Sequence, residues 1–357
     1  MSGPYLPQGY GEPRLLQPLR ATLADLAAGP DVRTPGEPLT IAVALSGGAD
    51  SAMLAVHAAM VRQQMPGLQL HCFHIHHGLQ AIADHWQTHV HRLAAGLGVA
   101  CHSLRVDVAS DSGKGVEAAA REARYAGLKH LAGRTGVRHV LLAHHRNDQA
   151  ETVIMRLLRG AGPTGLAAMA PVSERGGLVY VRPWLEVDRD TILRAAGEYA
   201  QRTGWAPVED PTNIDDVYTR GAVRRRLAPV LDERWPAWRE ILARHARQAR
   251  ELAVLMDEIT AENFSRLNPT EGGLEFSLQA WRALGEQRQV MVLRYWLKLH
   301  GLRAPTAARM RELCRQLRSL HALGYDRNMR MHHEQHWIVC ERGRIRLLRS
   351  CDSSESL

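Results

Sequence analysis

Between Ile41 and Ser51 the chain reads IAVALSGGADS: five apolar, strand-favouring residues run straight into Ser46, Gly47, Gly48, Ala49, Asp50 and Ser51. Beyond it, Met53, Leu54, Val56, Met60 and Val61 recur at helical spacing over Ser51 to Gln63, so a buried strand ends in a glycine turn that opens a helix. Such a junction makes an anion site. The first N–H groups of the helix have no intrahelical acceptor, the dipole is positive at that end, and glycines let backbone approach a phosphate while serine hydroxyls donate to it. The plainer alternative is an ordinary strand-to-helix turn that happens to contain glycine.

A Walker loop requires a Lys-Ser/Thr pair at the helix start to reach the β and γ phosphates, and this segment contains no lysine. Ser-Gly-Gly-x-Asp-Ser instead resembles the pyrophosphate loop of the N-type (PP-loop) ATP pyrophosphatases. That resemblance implies cleavage of ATP between the α and β phosphates, with an oxygen of the substrate adenylated and pyrophosphate released. Asp50 would then help hold Mg²⁺ against the phosphates, since hard oxygen ligands suit that ion.

At 357 residues the chain has room for two or three domains, each with its own core. It has no apolar run of eighteen and starts MSGPYLPQGYGEP, without a charged or apolar leader, so a cytoplasmic protein with no membrane partner is expected. Five scattered cysteines without a C-x-x-C argue against a disulfide framework or a zinc site, and the 19 histidines are mostly single residues on helices or strand ends. The formal charge of +8, carried far more by arginine than by lysine, favours a phosphate-rich partner such as RNA or DNA.

The order of elements predicts an α/β fold. Residues 1 to 12 read as loosely packed and Leu15 to Ala28 as a helix; together residues 1–38 form an N-terminal extension. Strands are expected at Leu68–Ile75, Val99–Val108, His139–Ala143 and Leu178–Val181, alternating with helices at Asp84–Gly98, where Asp84 is read as a cap, Glu117–Thr135, Asn147–Arg159 and Val187–Arg202. Long helices between strands mean a parallel sheet with helices on both faces, and ligands bind such sheets at the carboxyl ends of the strands. That rim carries Ser46 to Ser51, His76 to Gly78 and His144 to Asp148. The loop at Gly160–Gly177 is punctuated by glycine, and Pro229 and Pro236 mark the end of a catalytic domain over residues 39–230. Residues 231–348 read as a mainly α-helical domain, with helices at Trp238–Glu262, Leu278–Leu299 and Thr306–Leu323 and β-like alternation at Met329–Leu348; residues 349–357 form a tail.

Four further motifs follow the loop in order: HIHHGLQ at His74–Gln80, EAAAREARY at Glu117–Tyr125, LAHHRNDQAETVIMRLLRGAG at Leu142–Gly162, and EDPTN at Glu209–Asn213. With the loop they resemble the tRNA(Ile)-lysidine synthase family from about Ile41 to Pro229, and the region to about Leu348 is similar to that family's substrate-binding domain. The resemblance implies a ligase that uses ATP and Mg²⁺ to join free lysine to C2 of the wobble cytidine of an isoleucine tRNA with a CAU anticodon. It would proceed through an adenylated tRNA, release AMP and pyrophosphate, and change codon reading from AUG to AUA; a homodimer is left open. Carried onto this chain, it implies ATP binding by Ser46, Gly47, Gly48, Ala49, Asp50 and Ser51, catalytic roles for Asp50, Arg121, His144 and Asp148, and lysine binding by Asp148 and Glu151. Arg220, Arg224, Arg225 and Arg226 would meet tRNA.

Each assignment has a structural counterpart. Asp148 and Glu151 stand three residues apart on one helix face and would otherwise only complement the helix dipole; His144 and His145 would only satisfy loop carbonyls; Arg121 and Arg124, and the cluster Arg224–Arg226, would be solvated faces. Three positions depart from the family pattern: His76 replaces an asparagine, Gln80 an arginine, and Gly221 the asparagine of a motif in which Arg220 and Arg224 still match. A tRNA thiolase of the same superfamily is the nearer rival, but the chain lacks paired cysteines, with Cys72 and Cys101 read as isolated. A nucleotide-regulated RNA-binding protein without catalysis is the other, and it would not need Asp148 and Glu151 facing the loop.

Overall fold

The computed structural model describes residues 6–29, 38–76, 83–107, 116–208, 219–320 and 329–349. Its elements run α1 (Pro13–Ala28), β1 (Leu39–Ala44), α2 (Ala49–Gln64), β2 (Leu68–His76), α3 (Ala83–Gly96), β3 (Ala100–Arg105), α4 (Val116–Thr135), β4 (His139–Leu141) and α5 (Arg146–Leu158). There follow α6 (Pro163–Leu166), β5 (Val172–Arg175), β6 (Leu178–Val181), α7 (Arg189–Thr203), α8 (Thr219–Ala222), α9 (Ala228–Arg234) and α10 (Trp238–Ser265). Then come β7 (Glu275–Ser277), α11 (Leu278–Arg282), α12 (Glu286–Leu299), α13 (Ala307–Ser319), β8 (Met329–His333), β9 (His336–Glu341) and β10 (Arg344–Arg349). None of the described helices is long and apolar enough to cross a membrane.

The chain divides into two compact units, Met1–Arg250 and Glu251–Leu357. The first holds a six-stranded sheet in the order β3-β2-β1-β4-β6-β5, parallel except for its edge strand β5. Apart from the half-buried Thr40, strand β1 is apolar because both its faces are covered. Ile41 and Val43 face a core shared with α1, α2, α3 and α7, while Ala42 meets Phe73, Val140 and the Leu128 side of α4. The strand order reverses between β1 and β4, which leaves a crevice at their carboxyl ends.

Several expectations are corrected. The start of the chain is not loose over its described part: Leu6 and Tyr10 are buried, and the Tyr10 hydroxyl donates to the carbonyl of Ala195 at 2.9 Å. The loop expected at Gly160–Gly177 contains α6 and β5, a short hairpin partner of β6. The first compact unit extends into α10, where Trp238 and Leu242 pack with Ala150, Ile154 and Val223 and Arg250 donates to the carbonyl of Met169 at 2.8 Å. In the second unit, one expected helix is two, α11 and α12, with Gly285 as the cap of the latter. That unit packs helices with a four-stranded antiparallel sheet, β7-β10-β9-β8, around Trp281, Trp296, Phe276 and Ile345.

Candidate active site at the carboxyl ends of β1 and β4

The turn after β1 takes a shape that only glycine accepts easily. Gly47 has φ +98°, and a Cβ there would stand 3.0 Å from side-chain carbons of both Val90 and Val208. Its carbonyl accepts from the N–H of Val208 at 3.0 Å, which ties the turn to the segment after α7. Ser46 and Ser51 face each other across the turn with their hydroxyls 3.0 Å apart, and the Ser51 hydroxyl donates to the carbonyl of Gly48 at 3.1 Å. Gly48 is the cap residue of α2 and offers no side chain to the first turn, so Ala49 and its neighbours present bare N–H groups. The result is a small cradle with positive polarity.

Asp50, in the first turn of α2, points back toward β4. Its Oδ1 is buried without a hydrogen-bond partner, 3.8 Å from Nε2 of His145 and 3.7 Å from Nε of Arg189. His145 caps α5: its Nδ1 accepts from the N–H of Asp148 at 3.4 Å, and its own N–H donates to Oδ2 of Asp148 at 3.2 Å. The same imidazole brings Nε2 to 3.3 Å from Oδ2 of Asp148. One histidine therefore connects the phosphate loop to the acidic helix start.

Asp148 and Glu151 are both buried and share Arg224, with Arg220 beside Glu151. Arg224 donates from Nε to Oε1 of Glu151 at 2.7 Å and from Nη2 to Oδ1 of Asp148 at 3.1 Å. Arg220 brings Nε within 3.5 Å of Oε2 of Glu151 and donates from Nη2 to the Thr152 hydroxyl at 3.2 Å. Burial opposes ionisation of Asp148, but His145, His144, Arg220 and Arg224 outweigh it and bring its pKa down to about 2. Burial pushes His144 the other way, down to about 3, with Asp148 resisting and Arg124, Arg182 and Arg121 assisting, so it is neutral near pH 7. Oε2 of Glu151 is buried and makes no hydrogen bond.

The four arginines expected at tRNA separate. They sit where a five-residue π-helical turn, Val223–Leu227, joins α8 to α9. Arg220 on α8 and Arg224 in this wider turn reach the acid pair, while Arg225 and Arg226 are exposed. Arg121 is exposed on α4 and donates to the Tyr125 hydroxyl at 3.3 Å. His76 is buried with Nε2 2.9 Å from Oδ1 of Asp84, so Asp84 lies within the first turn of α3 as a partner of His76 rather than as its cap. His77 to Gln80 and Glu209 to Asn213 lie outside the described residues, as do Gly78 and Tyr218. Sequence reasoning missed the linking role of His145 and the approach of Arg189; for Arg189 the sequence offers no signal beyond a helix start.

Cys72 and Cys101 are not isolated but are register partners on β2 and β3. Burial raises both thiols, that of Cys101 to about 12, and both sit within the strands rather than on the rim. Neither is a ready nucleophile.

A PP-loop domain family matches residues 29–231, and a TilS substrate binding domain family matches residues 276–346. The chain is 56% identical over 308 residues to the tRNA(Ile)-lysidine synthase of Bordetella parapertussis, covering 86% of this chain and 89% of that relative. It is 44% identical over 287 residues to the tRNA(Ile)-lysidine synthase of Ralstonia nicotianae, covering 80% of this chain and 60% of that one. Among solved structures, the U34-tRNA thiolase NcsA from Methanococcus maripaludis aligns with a TM-score of 0.52 at 15% identity, over 65% of this chain and 79% of its own, a likeness of fold.

Proposed function

The chain belongs to the tRNA(Ile)-lysidine synthase family, and on that footing we propose how its residues divide the work of the reaction. It is a ligase that binds ATP in its PP-loop domain and forms lysidine at the wobble position of tRNA(Ile). In our reading the cytosine O2 attacks the α-phosphorus of ATP and pyrophosphate leaves. The side-chain amine of free lysine then attacks C2, and AMP leaves with the oxygen.

The first step is assigned to the cradle. Backbone N–H groups of Gly48 to Ser51 and the Ser46 hydroxyl receive the leaving pyrophosphate, whose charge the α2 dipole offsets. Asp50 fits Mg²⁺, because its Oδ1 is a buried acceptor without a hydrogen bond. Among the described residues no three His, Cys, Asp or Glu groups gather around a metal position, so the ion would lean on Asp50 and the ATP phosphates. Bound there, Mg²⁺ would neutralise charge on the phosphates.

The second step is assigned to the start of α5, and Oε2 of Glu151 is the observation that carries it. This buried acceptor makes no hydrogen bond, Arg220 standing 3.5 Å away as an ion-pair partner while Arg224 donates to the opposite oxygen, so it keeps its hydrogen-bonding capacity for an ammonium. Because Arg220 and Arg224 already balance Asp148 and Glu151, the incoming ammonium gains a hydrogen bond but little net charge stabilisation. Its proton is therefore held less firmly than beside two bare carboxylates, which suits an amine that must become a nucleophile.

The test is incubation with ATP, lysine and unmodified tRNA(Ile). The reading expects lysine to be incorporated into tRNA with one AMP and one pyrophosphate released per lysine. Nucleotide-stimulated tRNA binding without AMP would favour the non-catalytic alternative, and incorporation of sulfur in place of lysine would favour a thiolase.

A further inference from the structure

Four arginines, two on α4, one on β5 and one just after β6, surround one tyrosine on the α4 side of the sheet. Arg175 on β5 lies with its guanidinium carbon 4.4 Å from the centre of the Tyr125 ring, while Arg121 and Arg124 on α4 lie at 5.3 and 5.9 Å. Arg182, just beyond β6, is held by the carbonyl of Ala170 at 2.8 Å and the hydroxyl of Ser173 at 3.0 Å. Nε of Arg124 and Nε of Arg182 are buried and make no hydrogen bond. Among the described residues none of the four has a carboxylate partner; the groups acting on Arg124 and Arg182 are the Tyr125 hydroxyl and other arginines. Burial, opposed by Tyr125 and assisted by neighbouring arginine charge, brings both guanidiniums below the ordinary arginine range.

Clustered, partly desolvated cations repel one another and are costly to keep without a counter-charge. Backbone carbonyls and the Tyr125 hydroxyl fix the side chains in place but supply no full negative charge. The missing partner is an anion, and planar guanidinium forks match the oxygens of a phosphate. Leu142 donates to the carbonyl of Val181 at 2.8 Å and Leu141 pairs with Val181, so Arg182 and the cluster around it adjoin the carboxyl end of β4. The glycine turn belongs to the α2 side of the same sheet and is already suited to the phosphates of ATP. The other polyanion in the reaction is the RNA backbone.

We propose that Arg121, Arg124, Arg175 and Arg182 form a phosphodiester site that grips the tRNA backbone beside the reactive cytidine. It rests on the lysidine-forming reading for the identity of the RNA, and it divides the phosphates between the two sides of the sheet. ATP takes the cradle after β1, and the nucleotide to be modified is held by its backbone against α4 while its base reaches His144 and the acid pair. Fixing the backbone leaves an unstacked base free to enter the crevice.

The test measures binding of unmodified tRNA(Ile) as a function of salt, without ATP or lysine, in Arg175→Gln and Arg182→Gln. Arg175 is exposed at the end of a hairpin strand, so that variant keeps the test valid if Arg182→Gln fails to fold. Each folded variant is expected to bind tRNA about tenfold more weakly, with the slope of log affinity against log salt shallower by roughly 0.7 for each phosphate no longer neutralised. Half-saturation by ATP, measured at saturating tRNA, is expected within about twofold of wild type. Unchanged affinity and slope in folded variants would overturn the site, and so would a shift confined to ATP. Absence of lysine incorporation by the wild-type protein would remove the lysidine reading and leave the binding result to be judged alone.

Discussion

His144 and Asp148 enter the site with their charges set by neighbours rather than by ordinary solution chemistry. Asp148, with its pKa lowered to about 2, stabilises the fold above the usual carboxylate range, and that contribution disappears only as pH falls through about 2. His144, lowered to about 3, and His57, lowered by burial to about 4, are neutral in the fold but take up protons when unfolded below about 6.5. Unfolding then binds more protons than the native state, so stability should decline as pH drops from about 6.5 toward about 4. Urea midpoints across that range test this: His144→Gln should flatten the decline in part, and an equally steep decline in that variant would show that His144 does not titrate as described.

At the scale of elements, the glycine turn and the helix of arginines each make a separate prediction. Gly47→Ala places a Cβ against Val90 and Val208 at φ +98°, so it should cost about 2 kcal/mol of stability and raise the ATP requirement strongly. Thermal unfolding and ATP titration of that variant would check both effects. Arg225→Ala with Arg226→Ala should lower the salt dependence of tRNA binding, whereas Arg224→Ala, which uncovers Asp148 and Glu151, should act mainly on lysine use. Salt-dependent binding and lysine titration separate the two. The strands and helices around these sites were legible because their periodicity is strong: β1 is buried on both faces, and α5 begins with its own cap. The inward turn of Arg224 was not, since it lies in a π-helical turn that widens the helix by one residue, and nothing in VRRRL announces one. The same holds for β5, whose Val172–Arg175 is exposed and lacks an apolar face to reveal it.

For the whole molecule, two compact units with separate cores imply that damage to one need not disable the other. Trp296 is fully buried in the second unit, and Trp296→Ala should destabilise that unit by roughly 4 kcal/mol, weakening tRNA binding while ATP binding by the first unit persists. Calorimetry with parallel ATP and tRNA titrations would show it. Within the first unit, the reversal of strand order between β1 and β4 brings the proposed phosphate cradle and the proposed amine site to one crevice, joined through Asp50, His145 and Asp148. In the proposed division of labour, that shared crevice lets one fold activate a base with ATP and then attack it with an amine. It was half legible in the sequence, because the loop and the acid pair could be assigned to neighbouring strand ends, while the arginines that balance the acids and the histidine that links the two sites depend on tertiary packing. The most direct test is the lysine dependence of lysidine formation by Glu151→Gln at saturating ATP and tRNA. The account predicts at least a tenfold rise in the lysine concentration needed for half-maximal rate, with lysine-independent adenylation of tRNA retained; a normal lysine requirement in that variant would contradict it.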